Sequence, residues 1–411
     1  MMLSPWLALP VGYSFAQGGF RWLGWELRSP EERRIWAKRT AKRLAAALLA
    51  GSLVGGVERP QLRRALGCAL AIAACTDTYA HNVAGNEPDV SGAASVGSVL
   101  VTGATSGVGR AAAVALVRLG CDVIVTARSA EAAARTAAEI TKEAGPAEGR
   151  ALFVDGAGLE LADQASVRLY ARALSDRLGR GGWRPLSVLV LNAGVMLPAL
   201  QRTPDGAEMT LACNHLGHHT LALLLMPDLE KASKRGYQAR IVVVSSALHA
   251  QAARQSLEDL DDFSAVRWPF SLFEAYSRSK LVNVVWAEEL QRRLQAEKSS
   301  VTCVSLHPGI VLTGVTRSLP WFVRAAHLAA LPIMCLLQKS PQFGARTTVH
   351  AALAADVRRR LESGLSLYLA DCRFVTPATE ALDARLRLNL GTNIFLASED
   401  YARASEAPET A

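Results

Sequence analysis

From residue 98 onward, short apolar runs alternate with longer stretches whose apolar residues recur every three or four positions. The runs are Ser98-Val99-Leu100-Val101, Asp122-Val123-Ile124-Val125-Thr126, 151–155, 187–191, 241–244 and 301–306. Unbroken runs rich in Val, Ile and Leu predict parallel strands covered on both faces. The stretches between them predict helices, since a period near 3.6 puts their apolar residues on one side. Strand and helix in alternation at this spacing predict an α/β fold with a doubly wound parallel sheet and right-handed connections. A ligand then meets the carboxyl ends of the strands.

The pattern before residue 96 is different. Residues 31–43 are charged and predict a helix, and residues 44–57 and 65–75 are uncharged apolar runs. Both runs are shorter than the roughly 18–20 residues of a spanning helix. A basic helix leading into an apolar run suits an anionic membrane surface. A pair of packed Ala-rich helices and a targeting segment are the alternatives, although Glu26, Glu31 and Glu32 count against a transit peptide. Residues 82–97, rich in Gly, Ser, Asn and Pro, read as a linker. The expected organisation is an N-terminal helical extension over 1–95, one large domain over 96–396 and a polar, disordered tail over 397–411.

Charge sharpens this division. The chain has 411 residues and a net charge of +8. Much of the excess lies in Arg33, Arg34, Lys38, Arg39, Lys42 and Arg43. Without zinc-finger spacing or an aromatic RNA motif, this excludes nucleic acid as the expected partner. The seven cysteines are scattered, with no Cys-x-x-Cys pair, so reduced thiols are expected. No metal is expected, and His215, His218 and His219 read as packed or hydrogen-bonded groups.

The first strand enters Thr102-Gly103-Ala104-Thr105-Ser106-Gly107-Val108-Gly109-Arg110, and an Ala-rich helix follows. In a strand–turn–helix context this is a Rossmann-type dinucleotide turn. Gly103 serves the tight turn, Gly107 the approach of a pyrophosphate, and Gly109 the packing of helix on strand. Thr105, Ser106 and Val108 complete the cradle, and the helix N-terminus offers N–H groups to phosphate. The second strand ends in Ala127-Arg128-Ser129, where an NAD-binding chain usually carries an acid. Arg128 there, with Arg110 beside the turn, favours the 2′-phosphate of NADP(H). The bland alternative for Arg128 is a solvated loop cation.

Tyr276 and Lys280 lie one helical turn apart on one face. A phenol titrates near ~10 in water, and a neighbouring ammonium favours its phenolate. Asn192-Ala193-Gly194, Asn214-His215-Leu216-Gly217-His218, Ser245-Ser246 and His307-Pro308-Gly309 fall at strand ends or on neighbouring helices. In this order the set resembles the short-chain dehydrogenases/reductases over about residues 97–395. Asp205-Gly206, Asn214 to His218, Ala127-Arg128 and the segment Ser363-Gly364 to Cys372 resemble their retinol-dehydrogenase-like branch.

The resemblance implies a tetrad of Asn214, Ser246, Tyr276 and Lys280. Tyr276 would be the acid/base, and Ser246 would hydrogen-bond the substrate oxygen. Lys280 would bind the nicotinamide ribose, and Asn214 would support a water leading to a proton path. Pro308, Gly309 and Thr313 would close over the nicotinamide, with Asn192 and Gly194 beneath the ring stack and adenosine ribose. The acid that holds adenine is either Asp155, by strand position, or Glu160, by spacing from the next helix. An aromatic insert over 257–273 would line the substrate mouth or pack as a surface loop, and the apolar stretch 319–338 would cover the substrate.

The expected function is therefore NADP(H)-dependent interconversion of a lipophilic alcohol and its aldehyde or ketone, of retinoid, steroid, polyprenoid or fatty type. A protochlorophyllide-type double-bond reductase and a non-catalytic dinucleotide-binding scaffold are the alternatives. The expected partners are a lipophilic small molecule, a membrane surface and further copies of the chain in a homo-oligomer. The expected place is an intracellular membrane, of the endoplasmic reticulum or another organelle.

Overall fold

The computed structural model describes residues 86–252, 260–264, 270–311, 339–357, 360, 367–381 and 384–404. The extension before residue 86, Thr313, Trp268, the apolar stretch 319–338 and the tail beyond 404 lie outside the described residues. An eight-stranded sheet in the order β3-β2-β1-β4-β5-β6-β7-β8 forms the centre. Its strands are β1 Ser98–Val101, β2 Asp122–Val125, β3 Ala151–Leu152, β4 Leu186–Leu191, β5 Arg240–Val244, β6 Thr302–His307, β7 Tyr368–Ala370 and β8 Arg373–Phe374. All pair in parallel except β7 with β8. The doubly wound parallel sheet is thus present, and the strand order reverses between β1 and β4.

Strand residues alternate between two cores because successive Cβ atoms point to opposite faces. Leu100, Ile124, Leu189, Ile241 and Cys303 enter one core. Val99, Val101, Val123, Val188, Val242 and Val304 enter the other. Helices α1 Gly107–Arg118 and α2 Ala130–Ala144 cover the second face. Helix α3 Gln164–Gly179 and helix α4 Gly217–Lys234 cover the first, with α5 Leu272–Ala296 beside them. Helix α6 Pro341–Leu353 packs on the second face. Helix α7 Ala384–Ala404 packs on α5 through Leu390, Ile394 and Phe395.

Helix α5 shows how sequence sets an element. Ser271 caps it by accepting from the N–H of Glu274 at 3.4 Å, the first half of a Ser-x-x-Glu capping box. Leu281, Val282, Val285 and Trp286 recur at helical spacing and are buried. The same spacing puts Tyr276 and Lys280 on one side of the helix.

Two boundaries differ from the sequence reading. Residues 86–97 are bound along the domain and do not hang as a free linker. Gly92 donates to the carbonyl of Leu353 at 3.0 Å, Gln238 to that of Ser95 at 2.8 Å, and Val96 is buried. The tail begins later than residue 397, because α7 runs to Ala404 and buries Ser398. Buried hydrogen bonds hold both segments, and composition does not report them. Among the described residues, no helix is long and apolar enough to cross a membrane.

Candidate active site

The end of β1 is tied to the end of β4. Asn192 Nδ2 donates to the Thr102 carbonyl at 2.8 Å, and the N–H groups of Asn192 and Ala193 donate to Thr102 Oγ1 at 2.8 and 3.0 Å. Gly103 turns there with φ +69°, and a Cβ on it would lie 2.8 Å from Ala193 Cα. A Cβ on Gly109 would lie 2.3 Å from Asn192 Nδ2 and 2.4 Å from the Gly103 carbonyl oxygen. Both glycines are therefore fixed by close approach. Ser106 opens α1 without a side-chain cap, so the first N–H groups of the helix face the turn unspent.

This cradle fits a dinucleotide phosphate, with Gly103, Thr105, Ser106, Gly107 and Asn192 as the residues that would hold it. Val108 is turned into a small core with Ala112 and Ala345, so only its main chain serves the cradle. Arg110 is engaged elsewhere. It binds Glu139 at 2.5 Å and Glu143 at 3.0 Å, both on α2. The packing of α1 on α2 that joins them is not visible in the local sequence.

Arg128 is exposed at the end of β2, one residue before Ser129, which caps α2. The two candidate acids part company here. The N–H of Leu159 donates to the carbonyl of Ala127 at 2.8 Å. At the start of α4, a Cβ on Gly217 would lie 2.1 Å from the Leu161 carbonyl oxygen. The 159–161 segment is thereby pinned between β2 and α4, with half-buried Glu160 in it. Glu160 and Arg128 both act electrostatically on Cys213, the neighbour of Asn214. Asp155 is exposed on the loop after β3.

The four residues of the expected tetrad come together at the carboxyl edge. Ser246, just past β5, lies near enough to Tyr276 to draw its phenol down against the effect of burial. Ser245 is turned away and donates to the Lys280 carbonyl at 2.7 Å. Lys280 Nζ lies 5.6 Å from the Tyr276 ring centroid and donates to the Val244 carbonyl at 3.0 Å. Asn214 grips Val195 at both ends, with Oδ1 accepting at 2.7 Å and Nδ2 donating at 3.0 Å. A Cβ on Gly194 would lie 3.2 Å from Asn214 Oδ1 and 3.4 Å from Lys280 Nζ. Beyond β6, the N–H of Gly309 donates to His307 Nδ1 at 3.1 Å, which shapes the Pro308-Gly309 turn.

The electrostatics depart from the simple Tyr–Lys expectation. Burial pushes the Tyr276 phenol up to about 12, and Ser246 only partly opposes it. Burial also brings the Lys280 amine down to about 8. In the protein without a dinucleotide, desolvation is the dominant influence on the phenol.

Two residues of α5 escaped the sequence reading. Ser279 Oγ accepts from Asn214 Nδ2 at 3.0 Å, and Asn283 Nδ2 donates to the Asn214 carbonyl at 3.1 Å. Their own four-residue spacing, offset by three from Tyr276 and Lys280, was the available signal. The histidines are hydrogen-bonded as expected: His219 accepts from Trp286 Nε1 at 2.9 Å, while His215 and His218 meet Asn283 and Thr102.

Comparison with known proteins agrees with this architecture. The model of the short chain dehydrogenase family matches residues 97–256. Mouse polyprenol dehydrogenase is 38% identical over 71% of this chain and 80% of its own length. Mouse retinol dehydrogenase 14 is 36% identical over 70% of this chain and 81% of its own. A chloroplastic short-chain dehydrogenase, TIC 32 A of Brassica napus, is 32% identical over 70% and 84%. The crystal structure of an uncharacterized protein from Mycobacterium paratuberculosis superposes with a TM-score of 0.52 at 27% identity, covering 78% of this chain and 97% of that one. With its glycine turn, Asn-Ala-Gly segment and Tyr-x-x-x-Lys helix on one sheet edge, the chain belongs to the short-chain dehydrogenase/reductase family of oxidoreductases, in the retinol-dehydrogenase-like branch.

Proposed function

We propose that the protein is an NADP(H)-dependent oxidoreductase that interconverts a lipophilic alcohol and its aldehyde or ketone. The observation that carries this reading is Tyr276 on α5, its ring centroid 5.6 Å from Lys280 Nζ one turn away, at the same sheet edge as the glycine turn. The relatives named for retinol and polyprenol support a lipophilic substrate class. A bound nicotinamide dinucleotide supplies the hydride donor or acceptor. Tyr276 holds its proton at neutral pH and delivers it to a carbonyl oxygen, or receives it from an alcohol. Ser246 holds that oxygen in line. Lys280 carries ribose hydroxyls, and its charge supports the phenolate that forms. Arg128 meets the 2′-phosphate, and Glu160 suits the adenine amino group better than Asp155 does. Arg110, already paired with Glu139 and Glu143, contributes charge at a distance.

Such a substrate resides in membranes, so we assign the basic and apolar N-terminal extension to an intracellular membrane surface. The chemistry is tested with a panel of hydrophobic aldehydes, ketones and alcohols followed by NADPH absorbance, with NADH as control. Turnover should fall roughly 10²–10⁴-fold in Tyr276→Phe with dinucleotide binding retained. Arg128→Asp should lower the preference for NADPH over NADH by roughly 10- to 100-fold. Dinucleotide binding with no turnover of any carbonyl or alcohol overturns the reading.

A further inference from the structure

A buried line of hydrogen bonds passes behind the reacting groups. Asn214 sits in a π turn, Ala212–Leu216, ahead of α4. A π turn displaces a main-chain carbonyl from the regular helical ladder. The Asn214 carbonyl is met by Asn283 Nδ2 at 3.1 Å and His218 Nδ1 at 3.2 Å. Two donors use both lone pairs of a carbonyl oxygen. The water expected from the family resemblance would have to displace one of them from this oxygen.

Each donor is itself held. The Asn214 carbonyl can only accept, so the His218 ring proton lies on Nδ1 and Nε2 is the acceptor facing Thr102 Oγ1 at 2.9 Å. Thr102 accepts in turn from the N–H groups of Asn192 and Ala193, under the glycine turn. On the other side, His215 Nδ1 donates to Asn283 Oδ1 at 3.1 Å. His215 Nε2 then meets Ser398 Oγ on α7 at 2.9 Å, a hydroxyl that also donates to the Ile394 carbonyl at 2.7 Å. Thr102, Asn214, His215, His218, Asn283 and Ser398 are each no more than 2% exposed. The line therefore runs without solvent from the end of β1, through the π turn, to the C-terminal helix.

We propose that His215, His218, Asn283 and Ser398 are positioning residues that lock the Asn214 turn between the dinucleotide cradle and α7. Asn214 in turn sets Gly194 and Val195, and so the wall against Lys280 Nζ. The proposal rests on the reading of Tyr276 and Lys280 as the reacting pair. It assigns a catalytic consequence to a helix that carries no reacting group.

The test compares Ser398→Ala and Asn283→Leu with Ile394→Val, which thins the core of α7 and leaves in place the main-chain carbonyl that Ser398 meets. Two readouts are used on the full chain. Amide hydrogen exchange of the 209–220 segment without dinucleotide should quicken in Ser398→Ala and Asn283→Leu and stay unchanged in Ile394→Val. With a hydrophobic aldehyde and NADPH, the first two should lose roughly 10- to 100-fold in kcat with KM kept. Ser398→Thr should restore the rate, and Ile394→Val should keep it while lowering Tm. Unchanged exchange in the first two variants overturns the proposal, whatever the substrate. Quickened exchange with full kcat overturns its catalytic part. A wild-type chain that turns over nothing, with the exchange pattern as expected, overturns the functional reading and leaves the lock standing.

Discussion

Lys280 carries the conflict between stability and function at the level of a single side chain. The residue is 3% exposed, and its amine is bonded to the Val244 carbonyl and brought down by burial to about 8. At pH 7 both folded and unfolded chains hold the proton, so the full desolvation cost falls on the folded state. As pH rises from about 8 toward the ordinary lysine value, the unfolded chain binds more protons and folding stability rises. Lys280→Met should therefore stabilise the dinucleotide-free protein by about 2 kcal/mol near neutrality, and the gain should fade at alkaline pH. The same variant should lose turnover. Thermal melts across pH 7–10 check this, and a variant that melts lower than wild type at pH 7 contradicts it. The pairing of Tyr276 with Lys280 was legible from spacing. The direction of their titration was not, because burial depends on residues far away in the chain.

Among the elements, the glycine turn and the strands it joins were the most legible. The β1 and β2 runs matched within a residue, since a buried parallel strand leaves an unbroken apolar signature. β3 was expected over 151–155 and pairs only at Ala151–Leu152. Past Leu152 the chain leaves the sheet and returns to the Ala127 carbonyl at Leu159, a long-range contact that pins the segment with Glu160 and leaves Asp155 on an exposed loop. The π turn at Asn214 had no signature, because its sequence is equally suited to a regular helix. Gly109 gives the sharpest test at this scale. Gly109→Ala should cost about 1–3 kcal/mol and weaken NADPH binding, because its methyl meets Asn192 and the Gly103 carbonyl. Gly145→Ala, with open space around its Cβ, is a control for folding alone, since its φ of +73° strains the backbone far from the cradle. Equal NADPH affinity in both variants would refute the packing account of Gly109.

For the whole molecule, composition misplaced what hydrogen bonds hold: residues 86–97 lie along the domain, and the last helix runs past the expected start of the tail. The basic, apolar segment before residue 86 contrasts in composition with the alternating domain and lies outside the described residues. The final helix was missed beyond residue 397, because polar residues on its outer face hide the docking of Ser398 and Phe395. Removal of residues 1–85 should move the protein from floating membranes to the soluble fraction while turnover of a detergent-dispersed substrate persists. Retention on membranes after that deletion would place the attachment elsewhere.

The lock that ends at Ser398 also bears on the order in which the protein is made. A chain synthesised from its amino end exposes the glycine turn before α7, and structure forms in that direction as synthesis proceeds. The cradle at Gly103 to Gly109 is then available to a dinucleotide while Leu390, Ile394 and Phe395 are still to be added to the core. Nascent chains stalled before residue 384 should pass through a stage that holds the cofactor and performs no chemistry. If the lock is needed as proposed, turnover should appear only in chains long enough for Leu390, Ile394, Phe395 and Ser398 to dock.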